Sequence, residues 1–138
     1  MVKKETSEWI GVDGQRYNYS VHDLPTDFEP GKYGNYIFAK KSNDGHWIPI
    51  YIGQGDLGVL IAKASPQLKC IEEMGATHVH VHQNNSEWVR TTEEHDLLES
   101  YLKVFKPFGC NFKAEEKEKK EEKGKEEKKE TGEGLFED

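Results

Sequence analysis

The sequence predicts an α/β fold of the α+β type: a small three-stranded antiparallel sheet flanked by helices, with an added N-terminal β-hairpin and a charged C-terminal tail. Segments 34–38 and 49–54 alternate like strands around a polar turn. A third alternating segment, 78–82, comes after helical segments and precedes a long amphipathic one, 86–105. Strands and helices in this series favour one sheet packed against helices on a shared core.

Length and charge divide the chain into three parts. Its 138 residues suffice for one domain with a modest core. We assign 1–33 to an N-terminal hairpin and loop, 34–112 to the main domain and 113–138 to a tail. The tail holds 8 Lys and 11 acidic residues, so we expect it to be disordered or loosely helical. The remaining residues include 11 basic and 15 acidic side chains, which disfavours tight nonspecific binding to nucleic acid but leaves room for a local basic patch.

The two cysteines, Cys70 and Cys110, lie far apart without the spacing of a metal site. We therefore expect reduced, structural thiols in an intracellular protein. The N-terminal residues lack the apolar run of a signal peptide, and no stretch is long enough to span a bilayer. A cytoplasmic location with no membrane partner is the resulting expectation.

The first element is a hairpin at Asp13-Gly14, a dipeptide that favours tight turns between strands. Its second arm alternates, with Tyr17, Tyr19 and Val21 on one face. We expect this ribbon to pair with the main sheet or to cover it. Segment 22–33, with two prolines, is predicted to be an irregular loop.

The central hairpin carries one tyrosine on each strand, Tyr36 and Tyr51, and turns at residues 42–45. If both tyrosines project from the same face, their hydroxyls meet over one spot. Ordinary amphipathic strand residues are the alternative, since tyrosine is common in strands.

Two helical segments follow, at 56–64 with Asp56 as N-cap and at 65–74 with Ser65-Pro66 at its start. The next segment, His78-Val79-His80-Val81-His82, is predicted to be a strand beside the tyrosine hairpin. Its histidines suggest a metal site, but residues two apart along a strand are separated by about 6.5 to 7 Å. We therefore favour valines that face the core and histidines that face outward or sideways.

The long helix places Leu97, Leu98, Tyr101 and Phe105 on one face. Glu94 is predicted to lie in the middle of this face, whereas Glu93 lies off its edge. A buried carboxylate has to be capped, paired or bound to a cation. A capping box, in which Glu94 bonds to the Thr91 amide, is an equally weighted alternative to cation binding.

The order of these motifs resembles the GIY-YIG nuclease superfamily over residues 34–111, and is most similar to its small stand-alone bacterial members. The matching residues are Gly34-Asn35-Tyr36, Tyr51-Ile52-Gly53, the segment 90–98 with Glu94, and Pro107 with Asn111. The resemblance implies hydrolysis of phosphodiester bonds in nucleic acid, with DNA as the expected substrate, and one Mg²⁺ (or Mn²⁺) ion.

By position, the resemblance makes Tyr36 the residue next to the attacking water, where it acts as or assists the general base. It implies that Tyr51 supports the water or the phosphate, that Glu94 binds the metal and that Asn111 shapes the site. A phenol has a pKa of about 10, so Tyr36 could be a base near neutral pH only beside a cation.

Two features depart from the family pattern. Its members carry an arginine on the helix after Tyr-Ile-Gly, but residues 57–61 contain no basic side chain. Lys63 and Arg90 are possible substitutes for phosphate contact, although neither matches by position. The interval from Glu94 to Pro107 is also long, and shifting the match to Glu99 would select a residue that points away from the apolar face. A catalytically degenerate binding or accessory module is therefore the alternative to a nuclease, and a plain structural domain is the third.

Overall fold

The computed structural model describes residues 5–59 and 67–113 of the chain. Lys63, the predicted helix start at Ser65-Pro66 and the charged tail after residue 113 lie outside the described residues.

Five antiparallel strands form one continuous sheet in the order β1-β2-β5-β3-β4. The strands are β1 (Thr6–Ile10), β2 (Arg16–Asp23), β3 (Tyr33–Lys41), β4 (Trp47–Asp56) and β5 (His78–Gln83). The prediction of a three-stranded sheet was wrong, because β5 pairs along both of its edges. Val81 lies opposite Tyr36 of β3 on one side and opposite Ser20 of β2 on the other, so the N-terminal hairpin extends the sheet.

The helices in the described residues are α1 (Leu57–Val59), α2 (Leu68–Glu73) and α3 (Glu87–Ser100), followed by a 3₁₀ turn at Leu102–Val104. Both predicted hairpins are confirmed, with Gly14 and Gly45 at φ values of 90° and 89° in their turns. Asp56 caps α1 as predicted, since its carboxylate accepts from the Gly58 amide at 3.0 Å.

The sheet carries a core on each face. Tyr36, Phe38, Val79 and Val81 pack on the face that contacts Ile71 of α2. The other face contributes Trp9, Tyr19, Ile37, Ala39 and Ile52, which pack with Leu97 of α3. A register shift between Phe38 and Ala39 leaves Ile50 without an opposite residue, and Ile50 and Tyr51 therefore both contact the first core.

Helix α3 begins at the predicted position but ends earlier than the sequence predicted. Ser86 is its N-cap and accepts from the Val89 amide, so Thr91 lies inside the helix and the capping box with Glu94 does not form. The helix ends at Ser100, and Tyr101 therefore cannot define its buried face.

The buried residues of α3 are Arg90, Glu93 and Leu97. Glu93 is only 3% exposed, whereas Glu94 is half-buried, so the predicted order of these two carboxylates was wrong. The reason is that the apolar face was drawn through Tyr101 and Phe105, which lie beyond the helix. The true buried face is rotated from that position and carries two ionisable side chains.

The histidines of β5 also differ from expectation. Val79 and Val81 are buried as predicted, but His80 is fully buried on the opposite face, where it was expected to point outward. Its Nδ1 lies 2.6 Å from the Ser7 hydroxyl, and the Trp9 indole nitrogen is 3.2 Å away. The Ser7 and Trp9 side chains of the N-terminal hairpin therefore lie against a face of β5 that the sequence had assigned to solvent.

The two cysteines are joined in a disulfide, which corrects the prediction of reduced thiols. Cys70 of α2 and Cys110 have Cα atoms 5.9 Å apart, although 40 residues separate them along the chain. Packing of α2 against the segment after α3 creates this proximity, and no local spacing could reveal it. Disulfides are typical of oxidising compartments, so the cytoplasmic expectation loses the support that reduced thiols gave it.

No helix within residues 5–59 and 67–113 is long and apolar enough to cross a membrane.

Candidate functional site

Tyr36 and Tyr51 stack on one face of the sheet, with ring centroids 6.1 Å apart and planes inclined by 29°. The register explains the contact. Tyr36 lies opposite Gly53, and Tyr51 precedes Gly53 by two residues, so both tyrosines project from the same side. Their hydroxyls are hydrogen-bonded to each other, with Tyr36 as the donor. The sequence-predicted meeting of two phenols over one spot therefore occurs.

Gly53 makes room for the Tyr36 phenol. A Cβ atom at this position would lie 2.6 Å from the Tyr36 hydroxyl oxygen and 2.7 Å from Cζ. A side chain on residue 53 would thus displace the ring from its place above the strand. Gly34 is restricted in a similar way, since a Cβ there would lie 2.6 Å from the His82 carbonyl oxygen. Both glycines of the paired motifs allow a close approach that other residues would prevent.

Glu94 lies close enough to both phenols to raise their pKa values. Burial is the largest cause in each case, because it disfavours the charged phenolate, and the Glu94 carboxylate adds to it. Tyr36 is 2% exposed and Tyr51 is half-buried, so Tyr51 offers the more accessible hydroxyl. The pair and Glu94 form a group of two neutral phenols and one carboxylate, which we call the tyrosine cluster.

Asn111 binds the backbone of β4 beside the tyrosine pair. Its amide nitrogen donates to the Ile52 carbonyl, and its amide oxygen accepts from the Ile52 amide, both at 2.9 Å. The neighbouring Cys110 amide donates to the Ile50 carbonyl at 2.9 Å. The backbone is therefore held on both sides of Tyr51. Asn111 thus fixes the strand that carries Tyr51.

Arg90 is 6% exposed and joins α3 to the sheet. Its Nε donates to the Gln54 side chain and one terminal nitrogen donates to the Asn84 carbonyl, each at 2.9 Å. The guanidinium also lies over the Tyr33 ring, 5.1 Å from its centroid. These contacts hold α3 against the sheet. They occupy the Arg90 guanidinium, which the sequence analysis had considered for phosphate contact. Lys63, the other candidate, lies outside the described residues.

Sequence reasoning missed a buried polar cluster beneath α3. The Glu93 carboxylate accepts from the Tyr19 hydroxyl at 2.6 Å and pairs with His82 Nδ1 at 2.9 Å. Burial and the nearby Glu93 charge both raise the pKa of Tyr19. The three residues come from a helix and two strands that are distant in sequence. The one sequence signal for this cluster is the two-residue alternation of β2 and β5, which could have placed Tyr19 and His82 on the same face of the sheet.

Glu94 is a side chain of the tyrosine cluster that could hold a metal ion. No group of three or more His, Cys, Asp or Glu residues is placed to bind a metal within the described parts of the chain. Glu94 is the carboxylate near the phenol pair, whereas zinc and calcium sites use more protein ligands. Mg²⁺ keeps several waters and uses one or two carboxylates together with substrate phosphates. A single carboxylate such as Glu94 could therefore hold Mg²⁺ only together with water or substrate oxygens.

Comparison with protein-family models, with curated proteins and with solved structures finds no match to this chain. The fold and the site define an α+β protein with a five-stranded antiparallel sheet and a tyrosine pair beside a helical carboxylate.

Proposed function

We propose that this chain is a metal-dependent phosphodiester hydrolase of the GIY-YIG type that acts on nucleic acid, with DNA as the expected substrate. The observation that supports the proposal most is the stacked, hydrogen-bonded pair of Tyr36 and Tyr51, with Glu94 in electrostatic range of both. The two stacked tyrosines do not require the nearby Glu94 carboxylate in order to pack against each other, so its position favours a functional role. Their combination with Glu94 gives polar groups that could contact a water, a phosphate and a cation at one place on the sheet.

Each residue has a role that follows from its surroundings. Glu94 would hold Mg²⁺ (or Mn²⁺), which supplies Lewis-acid polarisation of the phosphate and neutralises the leaving oxygen. Tyr51, the more exposed phenol, would orient the attacking water or a phosphate oxygen. Tyr36 lies behind it, with its hydroxyl bonded to that of Tyr51. Proton transfer from water toward this pair requires positive charge nearby, because burial and Glu94 together favour the neutral phenols.

The second candidate is a binding or accessory module that has lost catalysis. The specific observation in its favour is the state of Arg90, whose guanidinium is occupied by Gln54 and the Asn84 carbonyl. In the part of α1 that the structure describes, Leu57–Val59, there is no basic residue to replace it. A hydrolase without an arginine near the phosphate loses a large share of its transition-state stabilisation.

Cleavage of plasmid and short duplex DNA in Mg²⁺ or Mn²⁺ separates the two candidates. We expect the wild-type chain to cut, and we expect Glu94→Gln and Tyr51→Phe to lose at least about a hundredfold in rate. Glu99→Gln is the matched control, since Glu99 is exposed on the same helix. Equal cutting by the wild-type and Glu94→Gln proteins would reject the assigned site. Metal-independent DNA binding without any cutting would favour the accessory module.

A further inference from the structure

Two neighbouring apolar grooves lie on the surface of the segment after α3, and the larger one also borders the start of β4. They have volumes of about 550 and 350 Å³ and share Leu102 and Phe108 in their walls. Leu102 is 66% exposed and Phe108 is 72% exposed, and Ile48 in the larger groove is 40% exposed. Contiguous apolar surface of this kind marks an interaction site.

The grooves are positively charged. Lys103 lines the larger groove, and Lys106 and Lys113 line the smaller one. Neither groove is lined by a carboxylate from residues 5–59 or 67–113. A complementary partner therefore presents large apolar side chains that are flanked by acidic groups.

The chain itself contains such a segment. After Lys113 the apolar side chains are Ala114, Leu135 and Phe136. The Leu-Phe pair stands in the sequence Glu-Gly-Leu-Phe-Glu-Asp, residues 133–138, with acidic residues on both sides and no lysine after Lys129. Two adjacent large apolar residues with acidic flanks match two adjacent apolar grooves with lysine walls.

Chain length permits this segment to reach the grooves. Lys113 lies in the wall of the smaller groove, and Leu135 follows it by 22 residues. That number of residues can span up to about 75 Å. Covalent attachment supplies a local concentration on the order of millimolar, so weak intrinsic affinity is enough for binding.

We propose that residues 133–138 dock onto this lysine-walled surface of the same molecule, with Leu135 and Phe136 in the two grooves. The tail then serves as a built-in ligand that covers the exposed Leu102 and Phe108. The walls of both grooves contain none of Tyr36, Tyr51 and Glu94, so docking is independent of the phosphodiesterase chemistry.

Amide NMR spectra of the full-length chain test the proposal. The variant Leu135→Ser/Phe136→Ser is expected to shift the amide signals of Ile48, Lys103 and Phe108, while the signals of Gly53 and Tyr36 stay in place. Ala114→Ser is the matched control, because it removes the other apolar side chain of the tail, and it is expected to leave the signals of Ile48, Lys103 and Phe108 in place while it shifts those of its own neighbours. Addition of a peptide of residues 130–138 to the double variant is expected to restore the wild-type positions.

A second variant examines the groove. Phe108→Ser, combined with Leu135→Ser/Phe136→Ser, is expected to weaken peptide binding at least about tenfold, since a buried aromatic contact is lost. Phe108 is exposed, and unchanged signals from β3 and β5 would show that the variant folds. Identical groove signals in the wild-type and double-variant proteins would overturn the proposal. Groove signals that move on dilution would also overturn it, because they would assign the surface to a second copy of the chain.

Discussion

The adjacent carboxylates Glu93 and Glu94 are expected to separate stability from activity. Replacing Glu93 by alanine removes the acceptor of the Tyr19 hydroxyl, which is 1% exposed and would be left without a partner. A hydrogen bond to a charged group contributes about 1.5 to 3 kcal/mol, and an unsatisfied buried hydroxyl costs about 1 to 3 kcal/mol. His82 is half-exposed, so its pairing with Glu93 adds little once water screens it. We expect Glu93→Ala to lower the free energy of unfolding by about 3 kcal/mol.

Glu94→Ala is expected to affect activity and to leave stability nearly unchanged. Glu94 is half-buried, so its loss should change the free energy of unfolding by less than about 1 kcal/mol. Its loss should also abolish metal-dependent cleavage, because the carboxylate is the proposed ligand of the cation. Urea denaturation followed by circular dichroism gives the stabilities, and DNA cleavage below the unfolding transition gives the activities.

A double-mutant cycle with Tyr19→Phe strengthens the test. If Tyr19 is the main partner of Glu93, the combined Glu93→Ala/Tyr19→Phe variant should be less destabilised than the sum of the single variants, because neither orphaned polar group remains. Additive effects, or equal loss of stability from Glu93→Ala and Glu94→Ala, would refute the burial argument.

Three further perturbations have expected outcomes. Gly53→Ala puts a Cβ atom 2.6 Å from the Tyr36 hydroxyl oxygen, so we expect about 1 to 3 kcal/mol of destabilisation and a loss of cleavage, and wild-type values of both would contradict the packing. Cys70→Ala/Cys110→Ala removes a cross-link between residues 40 apart, so the free energy of unfolding in urea is expected to fall by about 4 kcal/mol through the added chain entropy of the unfolded state. A decrease of less than about 1 kcal/mol would argue against the disulfide in solution. Burial and the neighbouring His78 and His22 lower the pKa of His80 to about 4, below its value in the unfolded chain. The unfolded chain therefore binds a proton first as the pH drops from about 6.5 to 4, and the free energy of unfolding should fall by on the order of 3 kcal/mol. His80→Gln should flatten this pH profile in urea denaturation.

The sequence was a reliable guide wherever the signal was local. Asp13-Gly14 and the Ser42 to Gly45 turn predicted both hairpins because turn chemistry is decided within four residues. The meeting of Tyr36 and Tyr51 followed from the two-residue period of strands once the hairpin was known.

Errors arose where distant elements decide the outcome. The Cys70–Cys110 bond joins elements that meet only in the tertiary fold. Glu93 was assigned to the edge of α3 because periodicity could not show that the helix ends at Ser100. A buried Glu93 also departs from the apolar pattern of a buried helix face. Its burial is tolerated because the Tyr19 hydroxyl, 74 residues away, donates a hydrogen bond to its carboxylate.

Asn111 and Cys110 hold the strand edge beside the tyrosine cluster. Strand β4 is at the edge of the sheet, so its outward backbone groups lack a neighbouring strand. The Asn111 amide provides that missing partner at Ile52, and the Cys110 amide does so at Ile50. Tyr51 stands between these two points, and the disulfide fixes Cys110 to α2. Asn111 therefore pairs with the strand edge next to Tyr51 and holds Tyr51 against Tyr36. The position of the Tyr51 phenol is thus set by a segment some 60 residues later in the chain.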